Sequence, residues 1–292
     1  MEFNLYQQTR KRRGEFRIRH TLEGKLDYID GLAFGAYREL FGGWKFEHFD
    51  LFINHVPRDH HGPPAHWVIW IDPEGIGLPK NIRDSREKRV AAADFFLRRF
   101  LANLGEQLPG SRGSGIGGMM ETDRPGQSIQ ERNTCFFDGD AIELRLLVGM
   151  PSAGMILLID ELRLMFELLE RTVEETFLPR QEMLDELDHH LRIAAVQDRL
   201  REEIVRRGLV AFIAGEALLA RAGGNSDEPL KTEHVRSFEC PSSLEVEIDL
   251  GDDGKYRGLG IPRGVSVITG GPYHGKSTLL SAIEEGTKNH VP

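Results

Sequence analysis

Eight residues near the C-terminal end of the sequence, Gly270-Gly271-Pro272-Tyr273-His274-Gly275-Lys276-Ser277, fit the spacing G-x-x-x-x-G-K-[ST] at every fixed position. Nothing else in the chain restricts its fold so strongly. The pattern serves chemistry only where a strand ends, the backbone curls around an anion and a helix begins. Both flanks meet that requirement: Val265 to Thr269 is an apolar, β-branched run, and Ser277 to Ile283 reads as a helix. The first turn of a helix offers free N–H groups and the positive end of its dipole, which suit a triphosphate. Lys276 is expected to reach the β and γ phosphates and the Ser277 hydroxyl to ligate Mg2+, with Thr278 a weaker phosphate contact.

Composition sets the surroundings of that loop. A chain of 292 residues with 40% hydrophobic content can build one large domain or two ordinary ones. The longest apolar stretches, Met155–Ile159 and Leu209–Ala214, fall far short of the roughly 20 residues of a membrane helix. The N-terminus carries no secretory pattern, so a soluble cytoplasmic protein without a membrane partner is expected. Cys135 and Cys240 have no metal-ligand spacing and read as free thiols. A net charge of −9 gives no global attraction to nucleic acid. The local exception is Arg10, Lys11, Arg12, Arg13, Arg17 and Arg19, which could track a nucleic-acid backbone or form a solvated arm.

Periodicity supplies the coarse map. A helix is expected within 24–41, strands at 49–53 and 66–71, and a helix from the N-cap Ser85 to Gly105. Two strands flank the turn dipeptide Asp138-Gly139. A helical stripe from Leu158 to Phe177 stops at Pro179, and a second helix runs from about Arg180 to Arg207 before Gly208. Leu209–Ala214 reads as a buried strand and Gly223–Pro229 as a linker. Alternation at Leu244, Val246, Ile248 and Leu250 marks a further strand, followed by one at Val265–Thr269. The division drawn from this map is a mixed α/β domain over 1–157, a helical segment with a short strand over 158–226, and a P-loop piece over 227–292.

Three other patterns compete for attention. Gly113-Ser-Gly115-Ile-Gly-Gly118 matches G-x-G-x-x-G but lacks the preceding strand and following helix of a dinucleotide site. Met155-Ile-Leu-Leu-Ile-Asp160-Glu161 has the form of a Walker B strand, which would supply a metal-binding aspartate and a water-activating glutamate. It lies upstream of the phosphate loop, however, and its apolar residues continue in helical register through Leu162, Met165 and Leu169, which favours a helix start. His60-His61 and His189-His190 are adjacent pairs, a poor arrangement for holding one metal ion.

The segment Gly258 to Leu280, including Tyr273-His274 inside the loop, resembles the predicted ABC-class ATPase family, a P-loop group distinct from transporters. Further similarity lies in Asp123-Arg-Pro-Gly-Gln127, Val148-Gly-Met-Pro-Ser-Ala-Gly154, Gly208–Ile213 and Ser242–Glu247. Where the family tends to carry Gly-Ser-Gly-Lys-Ser-Gly, this chain has Gly113–Gly118. The resemblance implies ATP and Mg2+ as cofactors. It also leads to the expectation of an α/β N-terminal region followed by an incomplete nucleotide-binding domain, truncated after the Walker A motif and unable to hydrolyse ATP. The competing readings are an RNA- or DNA-binding module with a regulatory or vestigial nucleotide site, and a nonfunctional remnant. The sequence names no catalytic residue and sets no oligomeric state.

Overall fold

The computed structural model describes residues 16–105, 113–223, 226–232 and 235–292. The chain divides into two compact units, one formed by residues up to Arg124 together with Glu131–Leu187, the other by Pro125–Gln130 together with Asp188–Pro292.

In chain order the first unit begins with β1 (Phe16–Ile18), α1 (Arg19–Ile29), β2 (Gly42–Lys45), β3 (Asp50–His55), β4 (Ala65–Ile71) and α2 (Arg86–Gly105). It continues with β5 (Met120–Glu121); β6 (Ser128–Ile129) belongs to the second unit; then follow β7 (Cys135–Asp138), β8 (Ala141–Val148), β9 (Ser152–Ala153), β10 (Ile156–Leu157) and α3 (Ile159–Phe177). The main sheet runs β1-β2-β3-β4-β8-β5, with β7 on β8, and only the β1–β2 pair is parallel. Alternation explains its buried face: Trp67 and Ile69 of β4 stand in register with Leu146 and Leu144 of β8, and all four are buried. Two helices supply aromatic partners. Phe166 of α3 stacks on Trp67 at 4.9 Å between centroids, and Phe96 of α2 stacks on Phe177 of α3 at the same distance.

Local signals account for the element ends. The Ser85 hydroxyl accepts the Lys88 N–H at 3.2 Å, the cap expected for α2. The helix expected within 24–41 instead starts at Arg19 and stops at Ile29, just before Gly31 at φ 71°, and a 3-10 turn follows over Phe34–Leu40. The turn between β7 and β8 is made by Gly139, at φ 64°, and Asp140.

The second unit contains most of α4 (Gln181–Arg206), then β11 (Leu209–Ala214), β12 (Arg221–Gly223), β13 (Ser226–Pro229), β14 (Glu245–Asp249), β15 (Lys255–Pro262), α5 (Lys276–Glu285) and β16 (Asn289–His290). Its sheet is antiparallel in the order β11-β15-β14. Val196 of α4 packs with Ile248 and Leu250, and Leu200, Ile204, Phe212 and Tyr256 surround them. This corrects the expected fold class: the unit is a mixed α/β body with a sheet and core of its own, to which α4 and β11 contribute.

Three local expectations also change. Gly223 and Ser226–Pro229, expected in a linker, lie in the paired strands β12 and β13. β11 forms but is only partly buried, with Ile213 buried and Val210 60% exposed. Val265–Thr269 joins no ladder among the described residues.

Candidate functional site

The phosphate-loop segment lies between β15 and α5. Its fixed glycines take the conformations that the turn requires: Gly270 has φ 152° and Gly275, the residue capping α5, sits in the left-handed region at φ 75°, ψ 8°. Tyr273 also has positive φ, 62°, an unusual and strained setting for a bulky residue, and its ring is fully exposed. Strain of this kind persists where the surrounding turn dictates it.

The helix start presents donors. Leu279 N donates to Gly275 O at 2.9 Å, so the amides of Lys276, Ser277 and Thr278 lie ahead of the first bond of the helical ladder. Among the described residues, no side chain caps them. The Lys276 ammonium folds back to donate to the Gly271 carbonyl, and the His274 ring covers the same glycine, where an added Cβ would stand 3.1 Å from Cε1. Ser277 is exposed and Thr278 half-buried. The loop thus gathers an ammonium, an imidazole, two hydroxyls and a row of amides around a segment without a carboxylate. That donor set fits a triphosphate and, through the Ser277 hydroxyl, its Mg2+.

The preceding run departs from expectation. Val265 is 96% and Val267 77% exposed. Their β-branched character gives extended propensity, but a strand also needs a neighbour for its N–H and C=O groups, and β15 is already flanked by β11 and β14.

Other sequence candidates have structural places. Asp160 and Glu161 form the first turn of α3, where carboxylates complement the helix dipole, and Asp160 accepts from Arg163 at 2.9 Å. The Gly113–Gly118 segment packs on 149–154: Ser114 N donates to Ser152 O at 2.6 Å and Gly154 N to Ser114 Oγ at 2.9 Å. A Cβ on Gly149 would fall 1.7 Å from Ile116 O, so that close approach needs glycine. Of the basic run, Arg10 to Arg13 lie outside the described residues. Arg17 lies 3.6 Å over the Trp44 ring and donates to Phe41 O, while Arg19 pairs with Glu23 and Glu170. Those two arginines serve packing. Cys135 is buried and burial pushes its thiol pKa far up, whereas Cys240 is half-buried; both are free.

Sequence reasoning did not reveal a cavity of about 260 Å³ in the first unit, lined by His66, Thr122, Asp123, Thr134 and Arg145 among others. Its only signal was the Asp123–Gln127 segment.

Comparison with known families decides the wider identity. A family described as ATPase of the ABC class N-terminal matches residues 19–180, more than half of the chain. The chain belongs to the ABC-class ATPase family. A second match, to the P-loop domain of ABC ATPases, covers residues 183–292 and contains the whole phosphate loop. ABC-class ATPase domains of this kind bind ATP with Mg2+ at the Walker A loop. The chain is also 28% identical over 162 residues to an uncharacterized protein of Methanocaldococcus jannaschii, a match covering 53% of this chain. It spans about 35% of that relative's length.

These matches correct the expectation of an N-terminal region cut off after Walker A. The two family matches cover residues 19–180 and 183–292, so the P-loop match extends from α4 through the phosphate loop and α5. The P-loop match begins within α4, whose Val196, Leu200 and Ile204 pack in the core of the second unit. Among the described residues, no helix is long and apolar enough to cross a membrane.

Proposed function

We propose that Gly270, Gly271, Pro272, Tyr273, His274, Gly275, Lys276, Ser277 and Thr278 hold the phosphates of Mg-ATP. The observation that carries this reading is the left-handed Gly275 cap, which leaves the amides of the next three residues ahead of the helical ladder beside the Lys276 ammonium. Lys276 leaves the Gly271 carbonyl and bonds the β and γ phosphates; Ser277 turns its hydroxyl to the metal. Each charge-assisted bond to phosphate is stronger than the neutral bond it replaces. When bound, Mg2+ would supply neutralisation of the phosphate charge. The loop and helix of this chain supply position and donors.

The test is calorimetric titration of the parent and Lys276→Ala with ATP and adenosine in Mg2+ buffer. Loss of a charge-assisted hydrogen bond costs about 1.5–3 kcal/mol, so the variant is expected to bind ATP roughly 10- to 100-fold more weakly. Adenosine binding is expected to stay unchanged. Equal ATP affinity in parent and variant would remove the assignment.

A further inference from the structure

The helix that starts at the phosphate loop is weakly anchored along its length. α5 has ten residues and none of its side chains is buried. A helix this short has little stability of its own in water. Its position therefore depends on what holds its two ends.

The far end is held by a clamp with two jaws. Just beyond α5, His290 exchanges two hydrogen bonds with the side-chain amide of Gln197 on α4: His290 N donates to Oε1 and Nε2 donates to His290 O, each at 2.8 Å. Asn289 adds Asp198 at 3.1 Å and Arg201 at 2.7 Å. The other jaw is the strap Pro125–Gln130, which leaves the chain of the first unit at Arg124 and returns to it at Glu131. Its β6 pairs antiparallel with β16, Ile129 opposite Asn289 and Ser128 opposite His290, and Val291 N donates to Gln127 O at 3.0 Å. The Asp227 carboxylate holds the strap's own backbone by accepting from Gln127 N. A Cβ on Gly126 would lie 2.1 Å from Asp227 Oδ2, so a larger residue there displaces that carboxylate.

We propose that Gln197 and the strap Pro125–Gln130 are positioning elements for the phosphate-loop helix, so that ATP binding and strap pairing strengthen each other. The inference rests on the Mg-ATP reading above. A triphosphate bonded to the first turn of α5 fixes one end of the helix, and the clamp fixes the other about 15 Å away at 1.5 Å per residue. Ordering either end lowers the entropy still to be lost at the other. Such linkage is reciprocal: what ATP does for the strap, the strap does for ATP.

Hydrogen exchange of the full chain, with ATP or adenosine in Mg2+ buffer, reads the first half of the proposal. ATP is expected to slow exchange at 127–129 and 289–291 by about 5-fold, the low end of measured couplings, while adenosine leaves it unchanged. Titration of Gln197→Ala reads the second half, with ATP affinity about 5-fold weaker and adenosine affinity unaltered. Gln197→Glu, which keeps an acceptor for His290 N–H, should recover part of the loss, as a merely space-filling role would not require. If circular dichroism shows Gln197→Ala to be misfolded, Asp227→Ala loosens the strap from its other side and carries the same expectation. Lys276-dependent ATP binding with unchanged strap exchange and neutral variants would overturn this inference alone. Absence of ATP binding by the parent chain would overturn it together with the assignment of the loop.

Discussion

Asp94 is a buried carboxylate of the first unit that pairs with two arginines. Its side chain is wholly buried on α2, where it receives Arg98 Nε at 2.6 Å and Arg132 Nη1 at 2.6 Å. A lone carboxylate in such a place would be costly, and the two guanidinium groups offset that cost. Arg132 stands in the stretch that returns from the strap to β7, so the same carboxylate ties that stretch to the helix. Asp94→Ala removes the carboxylate to which both arginines donate. It is expected to destabilise the protein by about 3 kcal/mol, the low end for a broken buried pair because both arginines reach solvent. Urea unfolding of parent and variant measures it; a loss below about 1 kcal/mol would show that the arginines find other partners. None of this triad was legible in the sequence. Arg98 lies one helical turn from Asp94, but nothing in the spacing of Arg132 announces a contact across 38 positions.

Elements differ in how openly the sequence declares them, and the reason is where their stabilising partners lie. α3 and α4 carry their evidence in the local 3.6-residue stripe, and Gly208 at φ 69° follows the end of α4 where a glycine was expected. The phosphate loop was equally legible, because its geometry depends on glycine conformations and a helix start within eight residues. The run Val265–Thr269 was not, since a strand exists only with a neighbour and local propensity is silent about one. The two-residue strands β6 and β16 offered no signal either: their pairing spans 160 positions, from Ile129 to Asn289.

That short ladder has a pH response of its own. Burial first, then Arg221 and Lys288, lower the His290 pKa below its ordinary 6.5, although the Lys288 carbonyl and Glu285 oppose this. A histidine with a depressed folded value stays neutral in the fold while the unfolded chain takes up a proton. Its contribution is therefore intact above about pH 6.5 and is lost as pH falls below that. Protection of 127–129 and 289–291, corrected for intrinsic exchange rates, is expected to drop between pH 7.5 and pH 5.5 in the parent. His290→Gln should flatten the drop, and an identical drop in that variant would assign the response to other groups.

On the scale of the whole molecule, the two most exposed large apolar side chains among the described residues, Tyr273 and Val265, lie in and just before the phosphate loop. Val265 is 96% exposed, Val267 77%, Tyr273 fully exposed and Leu280 55%, all within 16 consecutive positions. Scattered apolar side chains at a surface are ordinary, but a run rich in β-branched residues that joins no ladder among the described residues is a template for unwanted pairing. The net charge of −9 favours colloidal stability in general, yet residues 265–270 contain no charged side chain to protect them locally. Because neither valine is buried, replacing both removes little packing. Val265→Lys combined with Val267→Lys is therefore expected to change the thermal midpoint by no more than about 2 °C, corresponding to surface substitutions of less than about 0.5 kcal/mol. The same variant should bind less of a hydrophobic dye and aggregate more slowly on heating. Scanning calorimetry with light scattering separates the two effects. A clear fall in the midpoint would mean that these valines are covered in solution, and unchanged dye binding and aggregation would place the sticky surface elsewhere.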